Sequence, residues 1–197
     1  MTTILYTVHG SRLSGLARPD SDYDYYTVVD HGKSHQKIFG QTDNLTVVID
    51  DFLRLVADGE PQALTALWSP LAEIDPNWAP LLCGLHPDTV SATRKFAGAI
   101  TAFSAGIHRS VERYDDLEIK ARQHMIRLSL LLGDLLAEGR YNPQLSQDRI
   151  SLIQSAARLS EDGFMARLTS LCPVPVKTLW PTTNYHTASD ACFVDRC

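Results

Sequence analysis

The hydrophobic period of the chain changes near residue 50. Before that point apolar residues form short runs or alternate, as strands require. After it they recur three and four apart, as helices require. Ile4, Leu5, Tyr6, Thr7 and Val8 form a β-branched and aromatic run that stops at Gly10, which predicts a first strand. Residues 23–29 predict a second strand that stops at Asp30, His31 and Gly32. Residues 37–39 predict a short third strand, residues 40–43 a turn and residues 44–49 a fourth strand. Leu45, Val47 and Ile49 share one face of that strand, and alternation carried back puts Asp43 on the same face.

The helical period then takes over. Asp50 or Asp51 can cap a helix through Phe52, Leu53, Leu55 and Val56 that ends at Gly59. Pro61 opens another, with Leu64, Leu67 and Trp68. Residues 69–87 are proline-rich and predict loops with one short helix. Asp88 caps a long helix through Phe96, Ile100, Phe103 and Ile107. The next long helix carries Leu117, Ala121, Met125, Leu128, Leu132 and Leu135, and Gly139 closes it. A further helix over 147–171 carries Ile150, Ile153, Ala157 and Leu159. The remainder has no period and predicts an extended tail. Strands followed by helices make an α+β layout, a small mixed sheet and then a C-terminal helical array. The expected division is a core over 1–70, a helical domain over 71–171 that completes a cleft, and a tail over 172–197.

Composition narrows the class. The chain has 197 residues, 44% apolar and 21% charged, which excludes disorder as its main state. Four cysteines are too few for a disulfide scaffold, and Cys83, Cys172, Cys192 and Cys197 lack the close pairing of a zinc site. No apolar run approaches the roughly 18 residues of a membrane span, and residues 1–6 do not have a signal-peptide pattern. A reducing, cytoplasmic setting without a membrane partner is the expectation. A net charge of −5 argues against an avid nucleic-acid coat protein. It leaves room for an enzyme that meets nucleic acid through a local patch.

Candidate chemistry lies between His9 and Tyr25. The first strand ends in Gly10-Ser11, and the second carries Asp22-Tyr23-Asp24. Alternation puts Asp22 and Asp24 on one face, about 7 Å apart along the strand. Two such carboxylates repel in a dry site, and a divalent cation with oxygen ligands relieves the repulsion. A Gly-Ser turn offers backbone N–H groups and a hydroxyl to phosphate oxygens, and a short helix after it adds its positive end. Phosphate cradle and metal carboxylates together are equipment for phosphoryl or nucleotidyl transfer. Each residue also has a plainer reading. Asp22 and Asp24 fit a solvated turn, Asp43 a turn residue, and Arg12 a partner for Asp20 or Asp22. Lys120, His124 and Arg127 share one helical face, which is either a solvated stripe opposite the leucines or the wall of a cleft. His9, Tyr23, Tyr25 and Tyr26 read as structural, and Trp68, Trp78 and Trp180 as core or interface residues.

These residues resemble the signature of the DNA polymerase beta superfamily of nucleotidyltransferases. In that signature an apolar strand ends in Gly-Ser and Asp-x-Asp follows on the next strand; here ten residues separate Ser11 from Asp22. The fuller form, Gly-Ser-Arg, then Gly-Leu-Ala, then Pro-Asp-Ser-Asp-Tyr-Asp, is similar to the RNA-ligase-associated, polymerase-beta-like branch. That branch also has a Lys-x3-His-x2-Arg-Leu helix, which Lys120, His124, Arg127 and Leu128 match in order. Residues 43–70 are similar as a strand and a helix pair, and the likeness covers roughly residues 1 to 140. The superfamily's third carboxylate usually sits between two apolar residues. Here Asp43 lies between Thr42 and Asn44, and Asp50 and Asp51 compete with it.

The resemblance implies a nucleotidyltransferase core. It implies transfer of a nucleoside monophosphate from ATP or another nucleoside triphosphate to a hydroxyl or phosphate acceptor, with release of pyrophosphate. Asp22, Asp24 and Asp43 would hold Mg²⁺, or Mn²⁺ in its place, and Asp43 would assist deprotonation of the acceptor. Gly10, Ser11 and Arg12 would hold the outer phosphates, and Lys120, His124 and Arg127 would bind the triphosphate. The acceptor class stays open between RNA, protein and a small molecule. Two other classes also fit the sequence: a nucleotide-binding regulator without turnover, and a toxin–antitoxin-type interaction protein that works through its helices.

Overall fold

The computed structural model describes residues 1–110 and 115–174. The side chain of Ile107 and the tail beyond Val174, with Trp180, His186, Cys192 and Cys197, lie outside the described residues. Five strands form one mixed sheet: β1 Thr3–Val8, β2 Tyr23–Val29, β3 His35–Phe39, β4 Thr42–Val48 and β5 Glu73–Ile74. Their order across the sheet is β3-β4-β2-β1-β5. β1 runs antiparallel to β2 and β5, and β3 antiparallel to β4. β2 and β4 are parallel, and their register sets Asp24 opposite Asp43, Tyr26 opposite Leu45 and Val28 opposite Val47. The described helices are α1 Gly10–Ser14, α2 Ile49–Ala57, α3 Pro61–Leu67, α4 Ala79–Cys83, α5 Thr89–Ser110, α6 Asp115–Glu138, α7 Gln147–Ala156 and α8 Glu161–Leu171. The architecture is thus a mixed α+β fold.

One continuous core joins the sheet to the helices. It runs from Leu5, Tyr26, Val28 and Val47 through Phe52, Leu64, Phe96 and Ile100 to Met125, Ile126 and Leu132. Each fully buried side chain of this size contributes about 1.5–3 kcal/mol. Tyr26 and Val28 point toward the helices, so strand alternation turns Asp24 to that side as well. Asp24 therefore stands where the sheet's start parts from the helical layer. The tyrosines of the other face stack on one another. Tyr25 lies 5.5 Å from Tyr6 and 6.5 Å from Tyr23, with planes within 15°, and the Arg12 guanidinium sits 3.6 Å over Tyr23. Their ring faces are used within the protein, as sheet packing requires.

Several elements depart from the sequence reading. β4 begins at Thr42, so Asp43 is a strand residue and not part of the preceding turn. Pairing with β2 on one side and β3 on the other outweighs the polar composition of residues 42–44. β5 lies beyond residue 70 and completes the sheet by pairing Leu5 with Ile74. α2 starts at Ile49, after Val48 in extended conformation, so Asp50 and Asp51 are first-turn residues rather than caps. Carboxylates there favour the helix dipole, and Asp51 also accepts hydrogen bonds from Ser34 and Arg54. Asp88 does cap α5, accepting from the Ser91 N–H at 2.7 Å.

The expected helix over 147–171 is two helices. Ser160 caps the second, accepting from the Gly163 N–H. Neither proline nor glycine marks the break. Arg122 of α6 holds it instead, donating to the Leu159 carbonyl at 2.7 Å with its guanidinium 4.9 Å from the Phe164 ring. Gly59, between α2 and α3, has φ +73°, and a Cβ there would lie 2.3 Å from that of Ala92. This close approach seats α5 against the turn. No helix among the described residues is long and apolar enough to cross a membrane.

Candidate functional site

The end of β1 is built into the second strand. The His9 N–H donates to the Asp24 carbonyl at 2.8 Å, and the chain then turns through Gly10 at φ +65° into α1. A Cβ on residue 10 would lie 1.9 Å from Asp24 Oδ2 and 2.8 Å from the carboxyl carbon. Only glycine tolerates both the backbone angle and the neighbour. The Gly-Ser turn and the second carboxylate of Asp-x-Asp are therefore one packed unit.

Asp43 joins them across the parallel ladder, whose strands lie about 5 Å apart. Its Oδ2 accepts from Gln36 Nε2 at 2.5 Å, and its Oδ1 is buried without a hydrogen-bond partner among the described residues. Burial raises the Asp24 carboxyl above its usual range. The charges of Asp43 and Asp22 push the same way, and Lys120 and Arg127 oppose them. Asp22 is exposed just before β2.

Two hollows open beside these residues. The larger, about 340 Å³, is lined by His9, Gly10, Asp24, Gln36, Asp43 and Phe103, among others. The smaller, about 120 Å³, is lined by Ser11, Arg18, Asp20, Asp22, Lys120 and Gln123, among others. His124 and Arg127 of α6 line both, so they form the shared wall. Lys120, His124 and Arg127 thus face the cleft, while Leu128, Leu132 and Leu135 of α6 pack into the core and Leu117, in the first turn, is exposed.

The wall carries unspent hydrogen-bonding capacity. Arg127 Nε and His124 Nδ1 are buried and lack partners among the described residues. Burial lowers the Arg127 pKa from its ordinary value, while Tyr141 and Asp24 oppose the shift. A desolvated guanidinium without a paired anion is costly, so this position suits an anionic ligand. The His124 ring stacks on Phe103 at 4.8 Å and 13°. Burial, then Arg127 and Lys120, lowers its pKa to about 3. His9 is lowered to about 4 by burial and Arg127, against a contact of its Nε2 with the Gln62 carbonyl at 3.3 Å. Both imidazoles are neutral at pH 7.

Other expected site residues are placed differently. Arg12 directs its donors to the Ser21 carbonyl at 2.6 Å and the Asp22 carbonyl at 3.1 Å. It braces the loop that carries Asp22 and lines neither hollow. Asp50 and Asp51 also stand outside both. Gln36, Arg18 and Gln123 also line the hollows, though no motif includes them. Spacing marks Gln123, which lies at i+3 from Lys120 on the same face. Nothing local marks Gln36, whose place depends on the β3–β4 register.

The carboxylates suit a hard cation. Asp24 and Asp43 offer oxygen ligands on neighbouring strands, and the free Asp43 Oδ1 is a ligand in search of a donor or a metal. Among the described residues, no group of three or more His, Cys, Asp or Glu side chains is gathered closely enough to hold a metal ion, and Asp22 lines the smaller hollow while Asp24 and Asp43 line the larger. No protein-family model matches the chain, and no curated protein matches it significantly.

Proposed function

We propose that the protein is a metal-dependent nucleotidyltransferase that moves a nucleoside monophosphate from a nucleoside triphosphate to a hydroxyl or phosphate acceptor. The observation that carries this reading is the registry of Asp24 with Asp43, against Gly10 on one side and Arg127 across the cleft, whose buried Nε has no partner among the described residues. Such a site joins two opposite demands, carboxylates for cations and a buried cation for an anion. A metal–triphosphate meets both.

Asp22, Asp24 and Asp43 would hold Mg²⁺ or Mn²⁺, which when bound supplies charge neutralisation at the reacting phosphate. The turn at Gly10 and Ser11 would present N–H groups and a hydroxyl to the outer phosphates. Lys120 and Arg127 would offset the charge that gathers on the leaving pyrophosphate. His124, neutral, would donate or accept one hydrogen bond according to its tautomer. Asp43 Oδ1 would take the proton of an acceptor hydroxyl as its oxygen attacks the α-phosphorus. The new O–P bond forms as the bond to pyrophosphate breaks.

Pyrophosphate release by the pure protein with a triphosphate, Mg²⁺ and candidate acceptors tests this. Release that disappears in Asp24→Asn supports the reading, and release that persists at the native rate removes it. A second reading, nucleotide binding without turnover, draws on the third carboxylate, since Asp43 lies between the polar residues Thr42 and Asn44. Triphosphate binding without pyrophosphate release under any acceptor would select it.

A further inference from the structure

Gln36 belongs to an edge strand whose five residues are all exposed, yet its amide lies in the larger hollow. Register explains how. Gln36 pairs with Leu45 and Ile38 with Asp43, so Gln36 and Asp43 are diagonal neighbours on one face of the β3–β4 ladder. That separation is within reach of a long side chain. The contact is 2.5 Å from Gln36 Nε2 to Asp43 Oδ2. An ionised carboxylate only accepts, so the amide nitrogen, and not its oxygen, faces Asp43.

The consequence falls on the other oxygen. With Oδ2 engaged from the edge, Asp43, which lines the hollow, keeps Oδ1 buried and without a partner among the described residues. The donor is neutral. A lysine or arginine in its place would cancel the charge that Asp43 brings to a cation or an acceptor proton. A glutamine fixes the orientation and leaves the charge intact. We propose that Gln36 is a positioning residue that acts through Asp43, holding its carboxylate so that Oδ1 is presented to the metal and the acceptor. The proposal rests on the nucleotidyl-transfer reading of the same site.

A purely structural tie between β3 and β4 would look alike in a stability measurement, so the test reads the site. Mn²⁺ affinity is measured by electron paramagnetic resonance for the full chain and for Gln36→Ala, Asp43→Asn and the double variant. Turnover and triphosphate KM are measured in parallel. Outer hydrogen bonds to metal-binding side chains are worth roughly 10–100-fold in affinity or activity. Gln36→Ala should lose about tenfold in Mn²⁺ affinity and in kcat. Its triphosphate KM should stay within about twofold, because Gln36 does not meet the phosphates. The double variant should bind Mn²⁺ as Asp43→Asn does, since Gln36 has no effect once its partner cannot respond.

Gln36→Glu places a second carboxylate where the donor was and should be at least as impaired as Gln36→Ala. If the unmodified protein binds Mn²⁺ and turns over while Gln36→Ala matches it in both, the proposal is overturned and the wider reading stands. Losses from Gln36→Ala and Asp43→Asn that simply add in the double variant overturn it too. Absence of both Mn²⁺ binding and turnover from the folded, unmodified protein removes the wider reading, and this proposal with it.

Discussion

Asp24 packs its carboxylate directly against the α-carbon of Gly10, so closely that a Cβ on residue 10 would stand 1.9 Å from Oδ2. The turn at Gly10 and Ser11 and the Asp24 carboxylate are thereby fixed relative to each other. Gly10→Ala tests that coupling. A side chain at φ +65° costs about 1–2 kcal/mol in backbone strain alone. Asp24 must also move aside. We expect a modest fall in the thermal midpoint and a loss of turnover of at least about 100-fold, on the scale of a misplaced reacting group. Turnover that falls only in step with the folded fraction would show that Asp24 needs no such seat.

Asp43, and not Asp50 or Asp51, is the expected third carboxylate. Asp43→Asn should lower turnover far more than triphosphate affinity, because it acts on the acceptor side. Asp50 and Asp51 lie in the first turn of α2, where their negative charges favour the helix dipole. Their Asn variants should shift the unfolding midpoint and leave turnover nearly unchanged. Steady-state kinetics on the three variants decides this, and a larger loss from either α2 residue would reverse the assignment.

Arg127 should bind triphosphate. Arg127→Ala removes a charge-assisted hydrogen bond to the ligand and should weaken binding by about 1.5–3 kcal/mol. The unliganded protein should be no less stable without it, since the guanidinium has a buried Nε and no partner for it among the described residues. Calorimetric titration with a triphosphate reads the first effect and thermal unfolding the second. A binding change inside roughly 0.5 kcal/mol would mark Arg127 as a spectator.

The neutral histidines give stability a pH dependence. His9 and His124 have folded pKa values of about 4 and about 3, below the ordinary 6.5. The unfolded chain therefore binds these protons first as pH falls. Stability is fully present above about 6.5 and declines as pH drops toward 4, and His124 continues the decline toward 3. His9→Gln and His124→Gln should each flatten the fall in unfolding midpoint between pH 7 and pH 5. A slope unchanged in both variants would assign that dependence to other groups.

The part of this architecture that was legible in the sequence is the part set by local pattern. The run 4–8, the Gly10 turn, the Asp22-Tyr23-Asp24 alternation and the α6 spacing each depend on neighbours a few residues away. The polar stripe of α6 could be drawn as well, though only packing against the sheet decides that it faces the hollows. Long-range pairing was hidden. Asp43 reads as a turn residue until β2 and β3 flank it. Arg12 reads as a phosphate ligand until the carbonyls of Ser21 and Asp22 claim its donors. The break before α8 has no sequence breaker, because Arg122, some forty residues upstream, holds it.

The central claim is that the acid pair of β2 and β4 serves nucleotide transfer. The most direct measurement incubates the pure protein with Mg²⁺, each α-phosphate-labelled ribonucleoside triphosphate and separate RNA, protein and small-molecule fractions as acceptors. An Asp24→Asn, Asp43→Asn double variant is run beside it. The account predicts label joined to one acceptor fraction with matching pyrophosphate release, and neither from the double variant. Equal labelling by the double variant, or no label in any fraction from fully folded protein, would contradict it.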